Sequence, residues 1–416
     1  MKRRDFLRAS ALASLSAIYP GFYPGLSGWT YSSGKDSPGS KKLVVIFLRG
    51  AADGLNVVIP YGDPAYYSAR PTIAVTRPGE TDGALDLDGH FGLHPQLEPL
   101  LKYWQDGSLA FVHCSGSPDP TRSHFDAQDY MESGCPGQKV VSSGWLNRLL
   151  TVLPSTRSSI RAINVGSTMP RILQGPVSVA SFAPARAGRP SVVDRPFISS
   201  AFERMYAARQ DSLGVAFREG MDSHRTLKSK FDQEMTAANK GAPQAANFKG
   251  FGLQVGKLFG EDRTTQVAFV ALGGWDTHVN QGAGKGQLAN HLGVLGKGLA
   301  DLARGLGPQY RDTVILVVSE FGRTVSENGN GGTDHGHGNV MFVMGGGIKG
   351  GKVYGQWQGL SKGKLFEGRD LPVTTDFRSV IGQAAHEHMS IATADLGKIL
   401  PDFQLTDRSV SAIFGA

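Results

Sequence analysis

The run Thr313–Ser319, TVILVVS, is an almost unbroken stretch of aliphatic side chains that stops at Glu320, before a loop rich in glycine and asparagine. A short apolar run bounded by turn signals reads as a strand buried on both faces. Lys42–Leu48 (KLVVIFL), Leu109–Cys114 and Gln266–Leu272 share the pattern, and Ile160–Val165, Val177–Phe182 and Val340–Met344 read as further strands. Helical spacing fills the intervals at His94–Gln105, Gly144–Leu153, Gly250–Phe259, Leu288–Leu306 and Thr374–His388, the last opened by a Thr cap. Pro120 to Ser123 suit the start of another helix that runs to Gly134. Strand and helix alternating through short turns predict an α/β fold with a mostly parallel central sheet and helices on both faces. Ligands of such sheets collect at the rim formed by the strands' carboxyl ends.

What the strand ends deliver is therefore the functional content of the sequence. The first strand runs into Arg49-Gly-Ala-Ala-Asp53-Gly54, which presents a carboxylate in a glycine-flanked turn; a turn Asp bonding its own backbone is the plainer alternative. Leu109–Cys114 is followed by Thr121, Arg122, Ser123 and His124, and a hydroxyl at a helix start feels the partial positive charge of the helix amino end. Gln266–Leu272 leads into Gly273-Gly-Trp-Asp276-Thr-His278, and Thr313–Ser319 into Glu320, with Asp334, His335 and His337 in the loop beyond. Carboxylates and neutral imidazoles are common ligands of divalent metals. About four carboxylates and three imidazoles on one rim suit one or two ions, and two ions about 3.5–4 Å apart would clamp an in-line displacement. Ser123 or Thr121 would be the nucleophile, with Arg122 or Arg323 holding anionic oxygens.

The amino end, MKRRDFLRASALASLSA, sets Arg3 and Arg4 before a modest apolar run, the order of a twin-arginine export signal. Residues 1–35 are thus expected to be a signal peptide and linker handled by the twin-arginine export machinery, and the mature protein periplasmic or secreted. The expected domain is 42–416, with a helical insertion around 196–240. No segment supplies the ~20 apolar residues of a membrane span. A charge of +7, from 43 basic against 36 acidic residues without a basic block, gives no support to nucleic-acid binding. Cys114 and Cys135 could pair in an oxidising compartment or remain buried thiols.

The motifs VVIFLRGAADGLNVVIP, PTRSHFDAQDYMESG, GGWDTHVNQ and SEFGRTVSENGNGGTDHG, together with the signal, resemble the twin-arginine-exported family catalogued as domain of unknown function 1501, within the alkaline-phosphatase-like and sulfatase-like superfamily. That resemblance implies a metal-dependent hydrolase of a small anionic phosphate or sulfate ester, using Zn or Ca/Mg. It implies Asp53 as a metal ligand, Ser123 before Thr121 as nucleophile, and Asp276, His278, Asp334, His335 and His337 as a ligand set. Where the superfamily's late strand ends in adjacent Asp-His, this chain has Glu320-Phe321. Glu320 can keep the carboxylate role, and either the following loop supplies the missing imidazole or the second ion is lost. Two rivals stand beside this expectation: an exported binding protein that keeps the fold and a structural metal, and an esterase pairing Ser123 with His124 or another histidine.

Overall fold

In a computed structural model, the strand Lys42–Leu48 (β1) lies at the centre with every residue buried. Leu43, Val45 and Phe47 point into one apolar cluster and Val44, Ile46 and Leu48 into another, so the run is continuous because both faces are covered. The structure describes residues 41–154, 161–166, 168–182, 248–261, 264–407 and 409–414. The expected signal and the expected 196–240 insertion lie outside them.

Beyond β1 the chain forms a small three-stranded sheet from β2 (Val58–Ile59), β3 (Leu85–Asp86) and β4 (Gly92–Leu93). The main sheet continues with β5 (Leu109–Gly116), β6 (Ala162–Val165), β7 (Ala180–Phe182), β8 (Val267–Leu272), β9 (Thr313–Ser319), β10 (Asn339–Met344), β11 (Val353–Tyr354) and β12 (Thr375–Asp376). Its order is β11-β5-β10-β9-β1-β8-β6-β7, with β12 also on β5. All of these pairs are parallel except those that β10 makes with β5 and β9. The fold is therefore α/β with a mostly parallel sheet, as the strand-helix alternation implied. Leu48 lies opposite both Leu272 and Ser319, so three neighbouring strands end level and release the chain at one height. Because β10 runs the other way, it begins at that same rim, and the loop from Glu320 to Gly338 leaves and returns there.

One face of the sheet is covered by the helix Gln287–Leu306, whose Leu288, Leu292, Leu295, Leu299, Leu302 and Leu306 are all buried at helical spacing. Truncating one such leucine to alanine costs about 2–5 kcal/mol. The helix Phe248–Glu261 packs beside it so closely that a methyl on Gly252 would meet the Gly298 carbonyl at 2.5 Å. The helices Trp145–Val152 and Phe377–Gln383 cover the opposite face.

Two expected helices differ. Between His94 and Gln105 the chain makes a 3-10 stretch, Pro95–Leu100, before one α-helical stretch, Leu101–Gln105, because Pro99 has no N–H to donate. The helix expected from Thr374 opens instead at Phe377, capped by Asp376, whose carboxylate accepts from the Arg378 N–H; Thr375 is held in β12. No helix among the described residues is long and apolar enough to cross a membrane.

Candidate metal centre

The helix His124–Ser133 follows β5, with Ser123 as its extended N-cap and Gly134, at φ 70°, ending it in the left-handed region. Its buried residues include His124, Gln128 and Glu132, spaced by four, so one polar line faces inward. His124 stands at the head of this line.

There it meets side chains from two other strand ends. His124 Nε2 is 3.0 Å from His335 Nε2, which is 3.0 Å from His278 Nε2. The Asp276 carboxylate is 3.0 Å from His278 Nε2, 3.4 Å from His335 Nε2 and 3.7 Å from His124 Nε2. Among the described residues, His124, Asp276 and His335 form the group of possible metal ligands whose donor atoms all fall within 4.8 Å of one another, with His278 at its edge.

The outer nitrogen of each ring fixes what the inner one presents. His124 Nδ1 lies 2.8 Å from Glu320, His335 Nδ1 lies 3.0 Å from the Arg122 carbonyl, and His278 Nδ1 lies 3.3 Å from Asp334. All three partners can only accept, so each Nδ1 carries a proton, and Nε2 is the nitrogen whose lone pair each ring would offer inward to a cation. Three lone pairs and a carboxylate facing one another repel unless a cation stands among them. This donor set, each imidazole braced on its far side, has the arrangement that a metal-ligating histidine cluster needs. Ligand atoms about 2.1 Å from a shared tetrahedral zinc ion would lie about 3.4 Å apart, which the observed separations bracket.

The electrostatics repeat the point with a proton in the cation's role. Burial opposes charge on His124, but hydrogen bonds to Asp276 and Glu320 outweigh it and raise its pKa to about 9. Burial holds His335 below the usual imidazole range. Asp276 is held far below the usual carboxylate range, since the three imidazoles and Arg323 overcome its burial. Glu320 is depressed despite complete burial, through His124 and Gln128.

Of the seven expected ligands, Asp276, His278 and His335 join this group and four do not. Glu320 has its oxygens committed: Oε1 accepts from Gly50 N and Gln128 Nε2 besides facing His124, and Oε2 is bonded to Ser319 Oγ. Asp53 is fully buried in a two-bond pair with Arg70, at 2.6 and 3.0 Å, and also accepts from Gln281. Asp334 supports His278 from the exposed edge, and Asn328 donates to it. His337 is buried with its ring 4.5 Å from that of Phe366.

Arg323, also buried, binds the Asp276 carboxylate and donates to the carbonyls of Gly50, Ala51 and Thr333, tying the three strand ends together. Arg122 is partly exposed and paired with Asp370 and Glu367. Ser123 is exposed and its hydroxyl makes no capping bond; Thr121 Oγ1 accepts from the Ser123 N–H. Gly50, at φ 115°, lets this frame close, because a methyl there would strike Asp276 N at 2.7 Å. His124 is the candidate ligand that spacing alone overlooked, and the His124-Gln128-Glu132 line was the available signal. Cys114 and Cys135 are both buried and free.

Residues 40–400 match the family described as "Protein of unknown function (DUF1501)". No curated protein matches the chain. Among solved structures it is similar to Ps i-CgsB in complex with k-i-k-neocarrahexaose, at 10% identity and a TM-score of 0.42, covering 88% of this chain and 75% of that one. It is also similar to a protein in the alkaline phosphatase superfamily from Vibrio parahaemolyticus, at 10% identity and a TM-score of 0.36 over 76% and 63% of the two chains. A third similar structure is the C-terminal periplasmic domain of EcEptC from Escherichia coli, at 11% identity and a TM-score of 0.37 over 88% of each.

Proposed function

The chain belongs to the DUF1501 family of unknown function, and from that premise we propose that it is an exported, metal-dependent hydrolase of phosphate or sulfate esters. The observation that carries this is the meeting of three inward Nε2 lone pairs with the Asp276 carboxylate, each imidazole held in the metal-ligating tautomer by an acceptor behind it. His124, His278, His335 and Asp276 would hold a divalent transition ion such as zinc, which supplies Lewis-acid polarisation of an ester oxygen.

Ser123 stands one residue before His124, exposed, at the amino end of a ten-residue helix whose partial charge favours negative charge on its oxygen. Ser123 Oγ loses its proton to water and attacks the phosphorus or sulfur, the alcohol leaves with a proton, and water then releases the acid and restores the serine. Thr121 is the second choice. Arg122 directs Nε and Nη2 to Asp370 and Glu367, and its Nη1 stays outside those pairs to meet an anionic oxygen. Arg323, buried and bonded to carbonyls on three sides, builds the frame instead. The choice of phosphate or sulfate rests on the motif resemblance and on these anion-attracting groups.

One observation bears against the rival esterase that pairs Ser123 with His124: Nδ1 of His124 faces Glu320 and its Nε2 faces His335, so this imidazole has no free base to offer. The deciding experiment measures metal content of the purified protein and turnover of an aryl phosphate and an aryl sulfate. Turnover that disappears on chelation, returns with metal and is lost in Ser123→Ala with metal retained is the expected result. Bound metal without turnover supports the binding protein, and turnover that survives chelation supports a metal-independent esterase.

A further inference from the structure

We infer that this centre holds a single ion, because two arginines of the chain itself stand as fixed cations on the carboxylates that a second ion would need. The inference rests on the metal reading above and extends it to stoichiometry and to the role of Asp53.

Asp53 is the carboxylate delivered by the central strand. Its two oxygens receive Arg70 Nη1 at 2.6 Å and Nη2 at 3.0 Å, and Gln281 Nε2 also donates to Oδ2. Arg70 is itself fully buried and anchored by donating to the carbonyls of Thr324 and Val325 and to Asn56. A guanidinium so placed neutralises the carboxylate permanently and fills its coordinating edge. Asp276 Oδ1, the oxygen that faces His278 and His335, also receives Arg323 Nη2, a second buried guanidinium held on an interior carboxylate. Glu320, the remaining interior carboxylate, has its oxygens on His124, Gly50, Gln128 and Ser319. His337 is drawn away against Phe366. A second group of ligand atoms is absent among the described residues for this reason.

Asp53 is then a positioning residue. Through Gln281, whose Oε1 accepts from both Thr277 and Thr333, it fastens the Asp276–His278 turn to the Asp334–His337 loop.

The test is zinc titration of the chelated full chain, read by calorimetry and by elemental analysis after gel filtration. One ion per chain is expected, and none in His335→Ala. Asp53→Asn leaves a buried guanidinium uncompensated, so the paired variant Asp53→Asn/Arg70→Gln, which removes both charges together, is measured beside it. Either variant that folds is expected to keep one ion, bound within about tenfold of the parent. Two ions in the parent, or a folded Asp53 variant that loses its ion, overturns the inference while leaving the metal centre standing. No bound ion in the parent overturns the metal centre itself, so the two failures are distinguishable. If neither variant folds, the parent's ion count decides alone.

Discussion

Glu320→Gln separates an orienting carboxylate from a ligating one. The substitution keeps the volume of a completely buried side chain, and the amide oxygen can still accept from Gly50 N and His124 Nδ1 while the amide nitrogen meets Ser319 Oγ. Losing such a brace behind a ligating histidine costs about 10- to 100-fold in metal affinity, or about 1.4–2.8 kcal/mol. A second effect opposes it. With its pKa at about 9, His124 carries a proton at pH 7.5, and displacing that proton costs metal binding about 2 kcal/mol. Glu320 is one of two carboxylates that hold the proton there, so removing its charge recovers about 1 kcal/mol of that cost. The affinity deficit of the variant is therefore small near pH 7.5 and nearly full near pH 9, where His124 is only half protonated and proton competition falls to about 0.4 kcal/mol. Competitive zinc titration against a chromophoric chelator at the two pH values, with circular dichroism to verify the fold, measures it. Parent-like affinity at pH 9 would refute the orienting role. Complete loss of zinc at both pH values would make Glu320 a ligand.

Three further outcomes follow from the same geometry. His335→Ala is expected to lose the ion yet keep its fold, because the loop is fixed by backbone bonds from Gly322 N to the His337 carbonyl and from Gly336 N to the Gly322 carbonyl; thermal unfolding of the chelated variant within a few degrees of the chelated parent checks this. In the chelated parent, His124 is raised from 6.5 to about 9, so its stabilisation is complete below pH 6.5 and disappears as pH climbs through 9, up to about 3 kcal/mol. Melting curves from pH 6 to 10 should show that decline, and His124→Gln should flatten it; an equal slope in both would refute the assignment. Cys114, pushed up to about 12 by burial, and Cys135, also buried, should resist a thiol reagent until denaturant is added, and rapid reaction of the native protein would contradict their placement.

The strands were legible because TVILVVS and KLVVIFL admit no other burial than from both sides. The direction of β10 was not, since five apolar residues read alike from either end, yet that direction is what returns the Asp334–His337 loop to the rim. Asp276 and His278, which the structure brings beside His335, could be read as candidates because they follow an apolar run directly, and His335 because it sits with Asp334 and His337 in the glycine-rich loop beyond another. His124 was absorbed into the expected nucleophile turn, although its four-residue spacing to Gln128 and Glu132 marked a buried polar face. The pairing of Asp53 with Arg70 escaped because neither periodicity nor turn chemistry registers an ion pair across a 17-residue excursion. Asp376 took the capping role expected of Thr374 because β12 holds the intervening Thr375 in extended pairing.

The side chains that meet at the rim are supplied from chain positions as much as 211 residues apart, and no two of the contributing turns come from one hairpin. A metal site built from them would need β9 to be synthesised and paired with β1 before its ligands could meet. Metal uptake would serve as a certificate that the whole domain is finished. A loaded copy could cross a membrane only by a conduit that accepts proteins already in their final shape.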